Sequence, residues 1–498
     1  MSDYQAVTAV WETTMACNMR CMHCGSACAQ ALPDELSTEE ALALCDDLGK
    51  LGMQWITLSG GEPLIRKDWP QLARRLKQNG IITNMITNGW LLDDATVQEM
   101  RACDIGTVAI SLDGIEKTHD AIRKAGSFAR NMRSFDRMKK YGQYSGAITS
   151  VNKKNIKELP EIRDALVAHG VNSWQIQICI PMGNMVNHTD ELIDPDEVDG
   201  ILDFCLDVAK EKKITVYPAD CLGYYTEKEK LIRMHSLGPA SAGEWAGCNA
   251  GTRGFGILHN GDVLGCTSIR DRSFIEGNIR DRSIVDIWNG SDSFKWSRSM
   301  KKTDLGGECK TCTYGDVCLG GCPNTRLTMN KTMKSANPYC VYRTARLKLQ
   351  EKIADYQDRD ALFATAQKFA QENAFQEAAL ILEHLVKEDS EHIDALSLLG
   401  FTHFFMKNYE EAKEANERIL AKEPENSYAN KGLGLSLHKT GQTEKGIHFL
   451  QKAIDTAPEN FVDPYHDLAA VYMEIGERGK AEALLKEANL VSSGQTIP

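Results

Sequence analysis

Along the first 217 residues, apolar runs of strand length alternate with amphipathic stretches of helix length. The runs are Val7 to Thr14, Trp55 to Ser59, Ile81 to Thr87, Thr107 to Leu112, Ala147 to Val151 and Trp174 to Ile180. Between them, Ser37 to Leu51 opens with Ser37 and Glu40 at capping-box spacing, and Asn155 to His169 opens on Asn155 as its cap. Six βα units predict a parallel sheet, whose ligand sites lie at the carboxyl ends of the strands. From 218 to 345 the pattern changes: glycines are frequent, helical periods few and cysteines dense, so this segment needs staples to stay folded. Residues 346–360 belong to a linker helix. Over 361–490, ahead of a tail at 491–498, small residues recur at Ala366, Gly400, Gly434 and Ala469, and again at Ala378, Ala412, Gly446 and Ala481. Prolines at Pro424 and Pro458 keep the same period of 34 residues, which slips once to 35 in the small-residue columns.

That period resembles the tetratricopeptide repeat, in which paired helices need small residues where they cross. Such a solenoid offers a concave groove and no chemistry. It predicts a peptide or protein partner, or self-association.

Charge and cysteine usage narrow the chemistry. Lys and Arg number 57 against 69 Asp and Glu, a formal charge of −12, which gives no support for tracking a phosphate backbone; nucleic acid is not an expected partner. Met1 to Val10 lacks a basic head with an apolar core, and no later stretch reaches the roughly 18 apolar residues of a membrane span. The expectation is a cytoplasmic protein with no membrane partner. In that compartment sixteen cysteines point to metal ligands or reactive thiols, not disulfides. Three crowd at Cys17, Cys21 and Cys24, and seven fall between Cys248 and Cys340; Cys28, Cys45, Cys103, Cys179, Cys205 and Cys221 are scattered and read as buried thiols.

Cys17, Cys21 and Cys24 form CxxxCxxC in the loop after the first strand. Three thiolates can hold three irons of a [4Fe-4S] cube and leave the fourth iron open. Zinc is the alternative on this segment, with His23 or Cys28 as fourth ligand. The next strand runs into Ser59-Gly60-Gly61-Glu62-Pro63, where the glycines let the backbone approach a ligand closely. With CxxxCxxC one βα unit earlier, this segment makes the chain resemble the radical S-adenosylmethionine (SAM) superfamily. The resemblance implies an α/β fold, a partial (βα)6 barrel over 1–217. It implies that Cys17, Cys21 and Cys24 bind a radical SAM [4Fe-4S] cluster whose open iron SAM chelates, and that the Gly60, Gly61 and Glu62 segment receives the methionyl amine. His23 takes the place of the aromatic residue that borders the adenine. Ser111 and Asp113, in Ser-Leu-Asp-Gly at the end of strand four, resemble cofactor contacts, although Asp-Gly is also common turn chemistry. The implied chemistry is homolysis to a 5'-deoxyadenosyl radical, which needs positioning and exclusion of water and no catalytic triad.

In the second set, Cys248 and Cys266 precede Cys309, Cys312, Cys318 and Cys322, spaced CxxCxxxxxCxxxC, and Cys340 closes it. CxxC pairs alone read as zinc ribbons. In this order the seven resemble the SPASM domain, an all-cysteine Fe-S module expected over 218–345. The resemblance implies two auxiliary [4Fe-4S] clusters, one on Cys309, Cys312, Cys318 and Cys340, the other on Cys248, Cys266 and Cys322. The second lacks an obvious fourth ligand; Ala240 to Gly247 contains no cysteine, and Cys221 is a remote candidate. Sulfatase maturases place an Asp after the second cysteine where this chain has Thr267, which disfavours formylglycine formation.

The expected function is that of a radical SAM/SPASM maturase that oxidises or cross-links a residue in a peptide or protein. The first cluster cysteine stands at residue 17, so no leader-binding domain is expected ahead of the barrel, and the repeats would dock the substrate instead. A low-potential flavodoxin or ferredoxin would supply electrons. The rivals are a tetrapyrrole side-chain modifying enzyme and a non-catalytic Fe-S electron carrier or scaffold.

Overall fold

The computed structural model describes residues 4–219, 222, 226–238, 247–312, 314–356, 358–458 and 461–492. The chain divides into two compact units, Met1–Thr344 and Ala345–Pro498.

In the first unit the period-2 runs form parallel strands: β1 (Thr8–Glu12), β2 (Trp55–Ser59), β3 (Ile82–Thr87), β4 (Val108–Ser111), β5 (Ser145–Val151) and β6 (Ser173–Ile178). A seventh, β7 (Thr215–Pro218), pairs parallel with β6 and extends the sheet by one unit beyond the six read from the sequence. The connections carry helices α1 (Thr38–Lys50), α2 (Trp69–Gln78), α3 (Asp94–Ala102), α4 (Glu116–Ile122), α5 (Ser127–Lys140), α6 (Leu159–Ala168) and α7 (Val198–Glu211). The capping box forms: Ser37 Oγ accepts from the Glu40 N–H at 3.2 Å, and Glu40 Oε2 accepts from the Ser37 N–H at 2.8 Å.

The cysteine-rich segment joins the same sheet. Strand β8 (Gly254–Ile257) pairs parallel with β1 on the side away from β2, and β9 (Asp262–Leu264) and β10 (Ile275–Asn278) follow antiparallel. Among the described residues the order is β10-β9-β8-β1-β2-β3-β4-β5-β6-β7, so β1 lies inside the sheet and brings the first cysteine loop beside the second cysteine segment.

Alternate strand residues Ala9, Trp11, Ile56, Leu58, Met85, Ile110, Trp174 and Ile176 are buried in one core with Leu44, Leu48, Leu72 and Leu76 of α1 and α2. The opposite face therefore carries Thr57, Ser59, Asn84, Ser111, Ser150, Gln175 and Gln177, which stay partly exposed. Val10, Ile86, Ala109 and Ile148 share this inner face, whose positions at the carboxyl ends of β2, β4, β5 and β6 are polar.

In the second unit, helix pairs Arg359–Gln371 and Phe375–Glu388, Ile393–Phe405 and Tyr409–Leu420, Ser427–Lys439 and Thr443–Asp455, and Asp463–Glu474 and Arg478–Ser492 follow the period of the small residues. A Cβ on Gly434 would lie 2.7 Å from Leu450 Cγ and 2.8 Å from the Gly446 carbonyl, which is why the crossing needs glycine. No described helix is long and apolar enough to cross a membrane.

Candidate functional site

The loop leaving β1 is fastened to the turn leaving β2. The Gly61 N–H donates to the Thr14 carbonyl at 2.7 Å and the Glu62 N–H to the Ala16 carbonyl at 2.8 Å. A Cβ on Gly60, whose φ is +126°, would stand 2.4 Å from the Thr14 oxygen, and one on Gly61 2.2 Å from the Ala16 oxygen. Both positions thus require glycine. Glu62 is fully buried; it accepts from Thr87 Oγ1 at 2.8 Å and from the N–H groups of Asn88 at 2.8 Å and Leu64 at 3.2 Å. Burial pushes its carboxyl up to about 7. The Glu62 side chain therefore anchors the turn, and the backbone of the Gly60 to Glu62 segment is what remains for a ligand.

Within the loop, Arg20 closes the ends by donating to the carbonyls of Cys17 at 2.7 Å and Ala29 at 3.0 Å. Burial raises the Cys17 thiol and pushes Cys21 up to about 11, and repulsion among Cys17, Cys21 and Cys24 adds to both. Cys28 is buried beside Cys24, and its hydrogen bond lowers the Cys24 thiol. The three sulfurs are close enough to repel one another. Yet among the described residues no three His, Cys, Asp or Glu side chains converge on one ion. Tetrahedral zinc at Zn–S of about 2.3 Å draws its thiolates to within about 4 Å of one another, whereas a cube takes one thiolate per iron at separate corners. Three thiols grouped in one loop are a donor set that a cube with one open corner would take.

The strand-four residues meet this loop indirectly. Asp113 has no exposed surface; its Oδ1 accepts from the Ser150 N–H at 2.8 Å, and its Oδ2 pairs with His23 Nε2 at 2.7 Å and with Arg123 Nε. The Asp113 N–H donates to His119 Nδ1 at 3.0 Å, and burial lowers His119 to about 4, so that ring is neutral. Ser111 is half-buried on the inner face, and its carbonyl accepts from Asn131 Nδ2 at 3.1 Å. His23 is thus held on its edge by Asp113.

Several contacts to the loop lie outside the sequence motifs. Arg123 Nη1 donates to Cys21 Sγ at 3.7 Å, and Lys124 Nζ to the Asn18 carbonyl at 3.2 Å. Asn88 Nδ2 reaches Cys17 Sγ at 3.8 Å. After β6, the Asn184 N–H donates to the Cys24 carbonyl and its Nδ2 to the Cys21 carbonyl, both at 2.9 Å. Glu12, the last residue of β1, is buried; its Oε1 accepts from Ser26 Oγ at 2.9 Å and from Arg270, which joins the first cysteine loop to the segment after Cys266.

In the second set, Cys309, Cys312, Cys318 and Cys340 line one cavity with Tyr314, Asn337 and Tyr342. Burial, then mutual repulsion, pushes Cys318 to about 12. Burial likewise takes Cys340 to about 12, with the other thiols adding to the shift. Four thiols round one small cavity fit a fully ligated cluster. Cys248 borders a different cavity of about 480 Å³ with Cys318, Arg253 and Trp296. Cys266 follows β9, and Cys322 caps the helix Pro323–Asn330; neither lines either cavity. Cys221 and residues 240–246 lie outside the described residues.

Comparison with known proteins agrees with this construction. The profile of the radical SAM superfamily matches residues 11–166, that of an iron-sulfur cluster-binding domain, SPASM, residues 248–313, and tetratricopeptide profiles residues 369–434 and 428–460. An AdoMet-dependent heme synthase of Methanosarcina barkeri is 29% identical over 67% of this chain and 95% of its own. An Fe-coproporphyrin III synthase of the same organism is 30% identical over 62% and 82%. The mycofactocin maturase MftC of Mycolicibacterium smegmatis is 28% identical over 66% and 81%. Among solved structures, anSMEcpe with bound AdoMet superposes with a TM-score of 0.56 at 18% identity over 68% of this chain and 95% of that one. Streptococcus suis SuiB bound to its precursor peptide SuiA gives 0.53 at 16% over 67% and 75%. The chain belongs to the radical SAM superfamily, as an enzyme of its SPASM type with SAM and Fe-S clusters as cofactors and tetratricopeptide repeats on its C-terminal side.

Proposed function

We propose that this enzyme is a maturase that oxidises or cross-links a residue of a peptide or protein. When bound, SAM and the reduced cluster supply a 5'-deoxyadenosyl radical that removes hydrogen from a C–H bond. In this reading Cys17, Cys21 and Cys24 hold the cluster. Gly60, Gly61 and Glu62 would present backbone to the methionyl amine, His23 would border the adenine, and Ser111 would meet the cofactor from the end of β4. Asp113 acts through His23 and Arg123. Cys309, Cys312, Cys318 and Cys340 hold one auxiliary cluster, and Cys248, Cys266 and Cys322 the other. The functional division follows 1–217, 218–345, 346–360 and 361–490. A cytoplasmic setting suits thiols that form no disulfide among the described residues.

The observation that carries the substrate class is the polar rim of the inner face. Ser59, Ser111, Ser150 and Gln177 stand at or near the carboxyl ends of their strands, and Gln177 Nε2 donates to Ser150 Oγ at 2.8 Å. Hydroxyls and amides suit the alternating donors and acceptors of a peptide, whereas a macrocycle prefers an apolar slot. Two solved structures that share the fold hold a peptide, SuiB with the precursor peptide SuiA and anSMEcpe with the Cp18Cys peptide, and the mycofactocin maturase MftC is a relative. The repeats would dock the peptide, and a flavodoxin or ferredoxin would deliver electrons. A tetrapyrrole substrate is the second reading, favoured by the names of the relatives at 29% and 30% identity.

Anaerobic incubation with SAM and dithionite separates the two. Peptides encoded by the neighbouring reading frames are expected to raise 5'-deoxyadenosine and lose a pair of hydrogens by mass spectrometry. Loss of carbon dioxide from an iron-coproporphyrin, with the peptides untouched, would instead establish the tetrapyrrole reading.

A further inference from the structure

Arg123 is a charged side chain that donates to a thiol of the first set. Its side chain is 10% exposed and that of its partner Asp113 fully buried, so the pair is screened little by solvent. Nε is committed to Asp113 Oδ2, while Nη1 donates to Cys21 Sγ at 3.7 Å. The backbone that carries Arg123 is fixed at the carboxyl end of α4: the Met22 N–H donates to the Ile122 carbonyl at 2.9 Å, and the Arg123 N–H donates to the His119 carbonyl at 2.9 Å. Asp113 in turn is held by the Ser150 N–H and His23 on its carboxylate, and by Asn155 Nδ2 on its carbonyl at 3.2 Å. Neither charge can swing away.

Hydrogen bonds to ligand sulfurs and nearby net charge are the protein's means of setting the potential of an Fe-S centre. We propose that Arg123 is a positioning residue that raises the reduction potential of the centre on Cys17, Cys21 and Cys24 through the Cys21 sulfur, and that Asp113 opposes it. The inference rests on that trio holding the radical cluster. The step it governs is the [4Fe-4S]2+/+ couple, in which one electron enters from an external low-potential donor and no proton moves. A cation beside the thiolate favours the more negative, reduced state. The buried carboxylate keeps that gain partial, so the centre stays a strong reductant while remaining within reach of its donor.

The two charges make opposite expectations, which a structural ion pair does not. In the full-length, cluster-loaded enzyme, the EPR signal that changes on adding SAM is titrated against potential. Arg123→Gln is expected to lower its midpoint by at least a tenfold change in the reduction equilibrium, about 59 mV for one electron. Asp113→Asn is expected to raise it, and Arg123→Lys, which keeps the charge, to fall between wild type and the Gln variant. Midpoints that coincide with wild type, or that move the same way in Arg123→Gln and Asp113→Asn, overturn the inference. Should Arg123→Gln fail to load iron, the Asp113→Asn and Arg123→Lys midpoints still decide it. A wild-type protein with no SAM-responsive signal would instead defeat the cluster assignment itself.

Discussion

Glu62 ends the Gly60-Gly61-Glu62-Pro63 turn with a carboxylate that never reaches solvent. Removing it in Glu62→Ala leaves the Thr87 hydroxyl and the Asn88 and Leu64 N–H groups without their acceptor, at about 1–3 kcal/mol for each group that stays buried. The variant is expected to melt lower and to bind SAM more weakly. Glu62→Gln isolates the charge. Because burial lifts the carboxyl from 4.5 to about 7, the folded chain keeps a proton that the unfolded chain releases inside that window. Stability from this group is therefore complete below the window and lost as pH rises through it. The melting temperature of wild type minus that of Glu62→Gln should fall with rising pH across the window; a constant difference would refute the assignment. The contiguous motifs made Cys17, Cys21, Cys24 and Gly60 to Glu62 legible from sequence. Arg123 and Asn184 were not, since each reaches the site from a segment more than 90 residues away and as a single letter resembles any exposed polar residue. Glu12 was hidden differently, as the last letter of a strand whose other buried residues are apolar.

At the scale of elements, the cysteine loop is clamped between the end of α4 and the turn after β6. Gly183 in that turn has φ +54°, and a Cβ there would stand 2.2 Å from the Cys24 carbonyl oxygen. Backbone on both sides cannot yield as a side-chain tip would. Gly183→Ala is expected to displace Asn184 from Cys21 and Cys24 and to lower iron and sulfide per chain, with helix content by circular dichroism unchanged. Full iron loading in that variant would show that the clamp is dispensable. Periodicity gave β2 to the residue and the other five expected strands to within two residues at each end, because one face of each is buried against helices. Strand β7 escaped it: four residues ending in Pro218, after Lys210, Lys212 and Lys213, carry too short a pattern to register. The repeats were legible for the opposite reason, since Gly434 and its counterparts are fixed by helix crossings that recur with the chain's own period.

The whole molecule distributes its charge unevenly. Residues 345–498 hold 17 Lys and Arg against 26 Asp and Glu, nine of the twelve net negative charges, so the repeats are the acidic part and the catalytic unit is close to neutral. The repeats also leave aromatic side chains open: Phe401 and Phe405, with ring centroids 4.6 Å apart, are 48% and 54% exposed, and Phe375 stacks on Phe405 at 5.3 Å. Exposed rings in an acidic surround suit a basic peptide that carries apolar anchors, with attraction that weakens as salt screens it. Under the docking reading, deleting residues 345–498 removes both features and leaves every cysteine of the two cluster sets in place. The deletion is expected to spare reductive cleavage of SAM without substrate. It should raise KM for the peptide severalfold and abolish the salt dependence of KM, with kcat changed much less. Equal KM values for the deleted and full-length enzymes across a salt series would remove the repeats from substrate capture, whereas loss of SAM cleavage itself would mean that they support the fold of the catalytic unit.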